Sequence, residues 1–382
     1  MKMPPALLEE WMRDYYFAAE SDIGSSGVQD YSMAEIRQLL GIAWEDLDRI
    51  VFHDSQTLGG ANLRQAIADR WAGGDPRRVM ATHGSSEANF LLMNALLEPG
   101  DEVVVADPIY PQLYAIAEAK GCRLKKWELR FEEGFKPNLD ELERLLKPTT
   151  RMVVVNFPQN PTGASLTPEE QRHLVEVVAR SGAYLIWDNA FGEITYGRPP
   201  LPDPTASYER AISMGTLSKC FGLPGLRVGW CIAAPEVLER CILWRDYVTL
   251  HLSPLVETIA AAAISQAEIL IDPRRAQARS NLEILRGWLA EHEEDFQWVP
   301  PQGGVCVFPR LLHDLDVEAF CHRLAREKKV LLVPGVCFAH PRHVRLGFGG
   351  SAENLREGLG RLGELLDTCR AGSLNVLAAS ER

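Results

Sequence analysis

The chain predicts an α/β protein: a mainly parallel central sheet with helices on both faces, and a smaller α/β domain beside it. Two observations carry that expectation. The runs EVVVA (102–106) and MVVV (152–155) are continuously apolar, as strands are when both faces of a parallel sheet are covered. Segments of helical spacing lie between such runs from about residue 60 onward, and β/α alternation is the mark of layered folds with right-handed crossovers.

Taken in order, Leu63 to Trp71 carries apolar residues at 63, 66, 67 and 71, a helical spacing. Val79–Thr82 is short and β-like, and Glu87–Leu97 returns to helix. After the strand at 102–106, helical patterns occupy Tyr110–Lys120 and Leu139–Leu146. Pro168–Arg180 follows the strand at 152–155, with Thr167 and Glu170 spaced as a capping box. Ala183–Trp187, Ala211–Met214 and Val228–Ala233 continue the strands. Beyond Pro254 a largely helical stretch runs to about Glu291. GGVCVFP and VLLVPG then supply strands, and Val317–Lys328 and Ala352–Asp367 supply helices, of a second unit. The expected division is a large domain over 51–275 and a small one built from 1–50 and 276–382. The C-terminal GSLNVLAASER reads as frayed.

Composition narrows the functional classes. A net charge of −12 disfavours a nucleic-acid partner, which requires clustered Lys and Arg. No stretch approaches the roughly 20 apolar residues that span a bilayer. The N-terminus MKMPPALLEEWMRDYY has acidic residues where a signal peptide needs an apolar run, so the protein is read as cytoplasmic. Eight cysteines are scattered without a C-x-x-C pair, which indicates neither a zinc site nor a disulfide framework.

The chemistry concentrates in MGTLSKCFGLPGLRVGW (214–230). Lys219 is flanked by the hydroxyls of Thr216 and Ser218, by Gly222 and Gly225, and by Arg227. A phosphate needs hydroxyl, amide and guanidinium donors converging on one point, and an amine beside it can bond covalently to an aldehyde and shuttle protons. The segment resembles the S-x-S-K-x-x-G-x-x-G-x-R-x-G-W pattern of fold-type-I pyridoxal 5′-phosphate (PLP) enzymes of the aminotransferase class I/II family, with Thr216 at its first position.

That resemblance covers nearly the whole chain and implies an aspartate aminotransferase-like fold, a homodimer and a role for each matching residue. Lys219 is implied as the catalytic lysine that carries PLP. Asp188, ending AYLIWD, matches the aspartate that pairs with the pyridine nitrogen. Asn160, in NFPQNPTG, matches the donor to the cofactor's phenolic oxygen. Ser85 and Ser86 open a helix whose free N–H groups attract phosphate, with Thr216 and Arg227 as further ligands. Tyr110 stands where the family stacks an aromatic ring on the pyridine. Arg345, in HVRLGF, matches the arginine that grips the substrate α-carboxylate as a bidentate fork.

Two departures stand out. The family's D-x-A-Y reads Asp188-Asn189-Ala190-Phe191 here; Phe191 has no donor for the phenolic oxygen. Nor is a phosphate-reaching tyrosine evident in FHDSQTLGG. A narrower resemblance accommodates these departures. SDIGSSGVQDY (21–31, including Gly27), THGSSEA, WDNAF, MGTLSKCFGLPGLRVGWC and LHLSPLVE are similar to capreomycidine synthase-like cyclases, which also carry Phe in that motif. They close rings from hydroxylated arginines, giving six-membered (capreomycidine-type) or five-membered (enduracididine-type) guanidino acids in natural-product pathways. The substrate implied is a guanidine-bearing amino acid. Its cation calls for carboxylates, and Glu20 and Asp22 are the candidates in the N-terminal segment, with Glu87 and Glu193 comparable. An ordinary α-amino acid aminotransferase is the same-fold alternative. A non-catalytic PLP-binding module fits less well, because no basic helix-turn-helix pattern precedes the α/β unit.

Overall fold

The structure, a computed structural model, describes residues 2–370; the segment GSLNVLAASER lies outside them. Seven strands form the central sheet: β1 (Val79–Thr82), β2 (Glu102–Asp107), β3 (Arg123–Glu128), β4 (Thr150–Asn156), β5 (Tyr184–Asp188), β6 (Ala211–Thr216) and β7 (Gly229–Ile232). Their order across the sheet is β1-β7-β6-β5-β4-β2-β3. β7 runs antiparallel to both neighbours, and every other adjacent pair is parallel. β1, β6 and β7 are buried at every position, as continuous apolar runs covered on both faces demand.

β3 is the strand that its sequence conceals. RLKKWE lies at the sheet edge and buries only Trp127, so it presents no apolar run. Its lysines are held by the adjacent strand instead: Lys125 pairs with Glu102 at 2.8 Å and Lys126 with Asp107 at 3.2 Å. Charged residues on an edge also discourage pairing with other chains. The helix Pro235–Arg245 and the N-terminal helices Leu7–Tyr15, Met33–Leu40 and Trp44–Asp48 were likewise outside the sequence expectation. The helix expected from Tyr110 begins at Gln112, which leaves Tyr110 in the preceding loop. Pro168–Ser181 is closed by the expected Thr167–Glu170 capping box.

Helices Pro254–Ser265 and Ala267–Glu291 meet at a bend of 69°. The expected division at residue 275 falls inside the second of them, two residues after its internal Pro273. Among the described residues no single helix is long and apolar enough to cross a membrane. The C-terminal part holds a three-stranded antiparallel sheet of Cys306–Val307, Val344–Gly347 and Val333–Pro334. The N-terminal Ser21–Asp22 joins that part, pairing in parallel with Val330–Leu331. This pairing carries residues 22–30 across to the C-terminal ends of the central strands. All eight cysteines are free thiols.

Candidate active site

Crevices at the carboxyl ends of parallel strands are where open α/β sheets bind ligands. A cavity of about 720 Å³ occupies that position here. It is lined by Lys219, Ser85, Ser86, Tyr110, Asn160, Asp188, Phe191, Thr216, Arg227, Arg345, Gly27 and Asp22. Of the expected residues, Glu20 and the comparable candidates Glu87 and Glu193 do not line it.

Lys219 follows β6. Its amine donates to Ser26 Oγ at 3.1 Å. Burial, and then the neighbouring Arg345 guanidinium, hold its pKa below that of an ordinary lysine, which makes a neutral, basic amine more accessible at neutral pH. Asp188 ends β5 and is 5% exposed. Its carboxylate accepts one hydrogen bond, from the Ala190 N–H at 3.0 Å. Burial pushes it up to about 6. Lys219 pulls weakly the other way, but among the described residues no cation forms an ion pair with this acid. A buried carboxylate so placed is costly and is suited to a ligand that brings the positive charge.

Asn156 ends β4 and fixes the next turn. Its carboxamide donates to the Asp188 carbonyl at 2.8 Å and accepts from the Asn160 N–H at 2.8 Å. Asn160 is 4% exposed, and its Oδ1 accepts from Arg345 at 3.3 Å. Tyr110, after β2, donates its hydroxyl to Glu9 at 2.6 Å. Phe191 is buried against Gly304 and brings no polar atom to the site.

The anion-binding end lies at the start of the helix Gly84–Leu96, which follows β1. The N–H groups of its first turn have no partner within the helix. Gly84 has φ +73°, and a Cβ there would sit 2.7 Å from the Arg227 guanidinium. Backbone and arginine therefore approach as closely as a shared ligand requires. Ser218 Oγ accepts from Arg227 at 3.3 Å and faces the same cavity. Thr216 is committed inward, donating to the Val228 carbonyl at 3.1 Å and accepting from the Ser218 N–H at 3.1 Å.

At the opposite end Arg345 is 2% exposed. Its Nε donates to the Gly24 carbonyl at 3.0 Å, and no carboxylate pairs with it among the described residues. The acidic residues sort differently from the sequence expectation. Glu20 is exposed and ion-paired with Arg361 at 2.8 Å. It sits in the bend before Ser21–Asp22, where its N–H and that of Ser21 both donate to the Lys329 carbonyl, so strand alternation does not carry its side chain to the side of Asp22. Glu87 is turned into the protein toward Arg245 at 3.4 Å, and Glu193 pairs with Arg70 at 3.0 Å. Asp22 does face the cavity, although its Oδ1 accepts from the N–H groups of Gly24 and Ser25 at 2.9 and 2.8 Å. Glu9 and Asp30 complete the set of lining carboxylates; burial raises the Asp30 pKa, against the opposing pull of Lys219.

PLP requires an amine for its aldehyde, an acid for its ring nitrogen and donors for its phosphate. The isolated Asp188 and the close approach at Gly84 fit the last two, and Lys219 lies between them. The chain belongs to the aminotransferase class I and II family, which it matches over residues 51–362, and it is a PLP-dependent enzyme. It is 45% identical to capreomycidine synthase of Streptomyces vinaceus over 372 residues, 97% of this chain and 96% of that protein. The PLP-dependent cyclase OrfR superposes with a TM-score of 0.92 at 46% identity, over 97% of this chain and 98% of that one. A mutant aspartate aminotransferase of Thermus thermophilus superposes at 0.82 with 24% identity, over 95% and 97% of the two chains. The expected aspartate aminotransferase-like fold is the fold observed.

Proposed function

We propose that the protein eliminates water from a side-chain-hydroxylated L-arginine and closes the substrate's own guanidine onto the side chain, giving a cyclic guanidino amino acid. The observation that carries this reading is full-length likeness, at 45% and 46% identity, to a capreomycidine synthase and a PLP-dependent cyclase. Bound PLP supplies an aldehyde for the substrate amine and a ring that takes up the electron pair left at Cα.

The chain's own residues divide the remaining work. Arg345 holds the α-carboxylate, which fixes the Cα–H bond relative to Lys219. The Lys219 amine takes the Cα proton and later returns one. With PLP bound, Asp188 would hold a proton on the ring nitrogen, Asn160 would donate to the phenolic oxygen, and Tyr110 would pack against the ring. Ser85, Ser86, Ser218 and Arg227 bind the phosphate, with Thr216 orienting Ser218. Asp22, Asp30 and Glu9 neutralise the guanidinium and hold it inside the cavity. Attack at Cβ gives a six-membered ring and attack at Cγ a five-membered one.

An exposed apolar surface supports a homodimer. Phe52 is 75% exposed, Leu243 69% and Tyr247 92%, and the two segments are linked by Asp54 and His251 at 3.1 Å. Large apolar side chains this exposed, on segments that a polar contact brings together, support an interaction site there.

Mass spectrometry and NMR of the products from β- and γ-hydroxyarginine test the function. The expected product has lost one water and contains a ring. Keto-acid-dependent amino transfer, with no cyclic product from either substrate, would assign the chain to ordinary transamination instead. Asp30→Asn is expected to raise KM for hydroxyarginine about tenfold, the ~1.4 kcal/mol of a weakened charge pair. It is expected to leave KM for the uncharged hydroxycitrulline unchanged.

A further inference from the structure

The partner of the Lys219 amine is not one of the residues that the family pattern assigns to the site. Ser26 is 193 residues away in sequence and accepts the Lys219 N–H at 3.1 Å. It is 5% exposed and lines the cavity. The hydroxyl that meets the lysine comes from the N-terminal segment, not from the D-x-A-F motif.

The loop that carries Ser26 is held on every side. Asp22 Oδ1 ties down the N–H groups of Gly24 and Ser25. The Gly347 N–H donates to the Ile23 carbonyl at 2.8 Å, and the Gln29 N–H to the Gly349 carbonyl at 2.9 Å. A Cβ at Gly347 would fall 1.8 Å from the Ser25 carbonyl oxygen, and one at Gly349 2.1 Å from that of Gly27. Two glycines thus let the loop lie flush against the C-terminal sheet. Arg345 adds its bond to the Gly24 carbonyl. A hydroxyl placed by this many constraints has little freedom, and preorganised hydrogen-bond partners are what fix a catalytic group's direction.

We propose that Ser26 is a positioning residue for the Lys219 amine: by accepting one N–H it fixes where the amine rests and which way its lone pair points when it is not covalently engaged. The proposal rests on Lys219 acting as the base at Cα. It assigns to the 23–27 loop a part in proton transfer in addition to its place in the substrate cavity.

The experiment compares Ser26→Ala and Ser26→Thr with the wild type in two measurements. In the cofactor-free protein, the pH dependence of reductive methylation at Lys219 reports the amine's pKa. An acceptor stabilises the charged amine, so Ser26→Ala is expected to lower that pKa by about half a unit or more and Ser26→Thr to restore it. In the holoenzyme, exchange of the L-arginine Cα proton with D2O reports proton transfer without a leaving hydroxyl. Ser26→Ala is expected to lower the exchange kcat by about 10²-fold, the lower end of the effect of a positioned acid–base group, with KM within about twofold of wild type. A raised KM with unchanged kcat would make Ser26 a substrate contact and overturn the proposal, as would an unchanged pKa and exchange rate. If wild-type exchange is normal but no hydroxyarginine cyclises, the functional reading falls while the role of Ser26 stands.

Discussion

Tyr110 donates its hydroxyl to the Glu9 carboxylate at 2.6 Å, joining the loop after β2 to the N-terminal helix Leu7–Tyr15. Gln112 adds a weaker donor to the same carboxylate at 3.3 Å. The phenol's pKa is raised, by burial and then by Glu9, so it remains a donor throughout the working pH range. Glu9 thereby orients the ring that the family stacks on PLP and also places a negative charge in the cavity. The two roles separate by substitution. Glu9→Gln keeps an acceptor and removes the charge; it is expected to raise KM for hydroxyarginine about tenfold, ~1.4 kcal/mol, without altering the cofactor's absorption. Glu9→Ala removes both and is expected to shift the absorption as well. Identical spectra for the two variants would show that Tyr110 does not depend on Glu9 for its position.

Asp188 sets a pH dependence whose sign follows from its environment. Burial raises its pKa from 3.8 to about 6, so between these values the folded, cofactor-free protein binds a proton that the unfolded chain has released. Its contribution to stability is therefore lost as pH rises from about 4 through about 6, by roughly 3 kcal/mol in all. Asp188→Asn removes that loss. The cofactor-free variant is expected to have a higher denaturation midpoint than wild type at pH 7, and no advantage at pH 4. Cofactor binding runs the other way, because a protonated ring nitrogen selects the carboxylate. Wild-type affinity is expected to fall below pH 6 by up to about tenfold per pH unit, measured by absorbance titration. Asp188→Asn should bind PLP more weakly at pH 7 and lack this component of the pH dependence.

The phosphate end depends on the absence of a side chain at Gly84. Its φ of +73° costs an L-residue roughly 1–2 kcal/mol, and the added methyl would displace the Arg227 guanidinium. Gly84→Ala is expected to weaken PLP binding at least tenfold and to lower the melting temperature by a few degrees. Retained affinity in this variant would remove Arg227 and the helix start from the cofactor site.

What was legible in the sequence followed from locality. β2, β4 and β5 announce themselves as apolar runs because both their faces are covered, and the residues ending or following these strands and β6 are fixed in space by the strands themselves. Lys219, Asp188 and Asn160 could therefore be located from short motifs. β3 could not, because an edge strand that pairs its lysines with its neighbour has the composition of a loop. The carboxylates could not be sorted either. Glu20 and Asp22 are two apart, a spacing that in a regular strand would put both on one side. They diverge because Glu20 sits in a bend where its N–H and that of Ser21 both donate to the Lys329 carbonyl, and no local pattern announces that bend. Glu9, Ser26 and Asp30 reach the cavity through contacts between distant segments, which no local pattern encodes. Of these, Ser26 and Asp30 lie within the quoted segment SDIGSSGVQDY; Glu9 had no signal beyond its place in an amphipathic N-terminal stretch.

Glu87 shows what an acidic residue near the site does when it does not face the ligand. Arg245 is fully buried, with 0% side-chain exposure, and Glu87 is its ion-pair partner at 3.4 Å. The arginine also donates to the Thr57 carbonyl and, at 2.7 Å, to the Ala81 carbonyl. Glu87 accepts further bonds from the His83 N–H and the Thr249 hydroxyl, so one carboxylate ties the start of the helix Gly84–Leu96 to the segment after Pro235–Arg245. Removing one member of a buried pair leaves the other charge without compensation, which costs about 3–5 kcal/mol. Glu87→Ala is expected to lose that much in urea denaturation while leaving KM for hydroxyarginine within about twofold at a temperature where the variant is folded. A large rise in KM with unchanged stability would return Glu87 to the substrate site. The pair Glu87→Gln and Arg245→Met tests the same point from the other side. The double variant, with neither charge to bury, is expected to recover most of the stability lost by either single change.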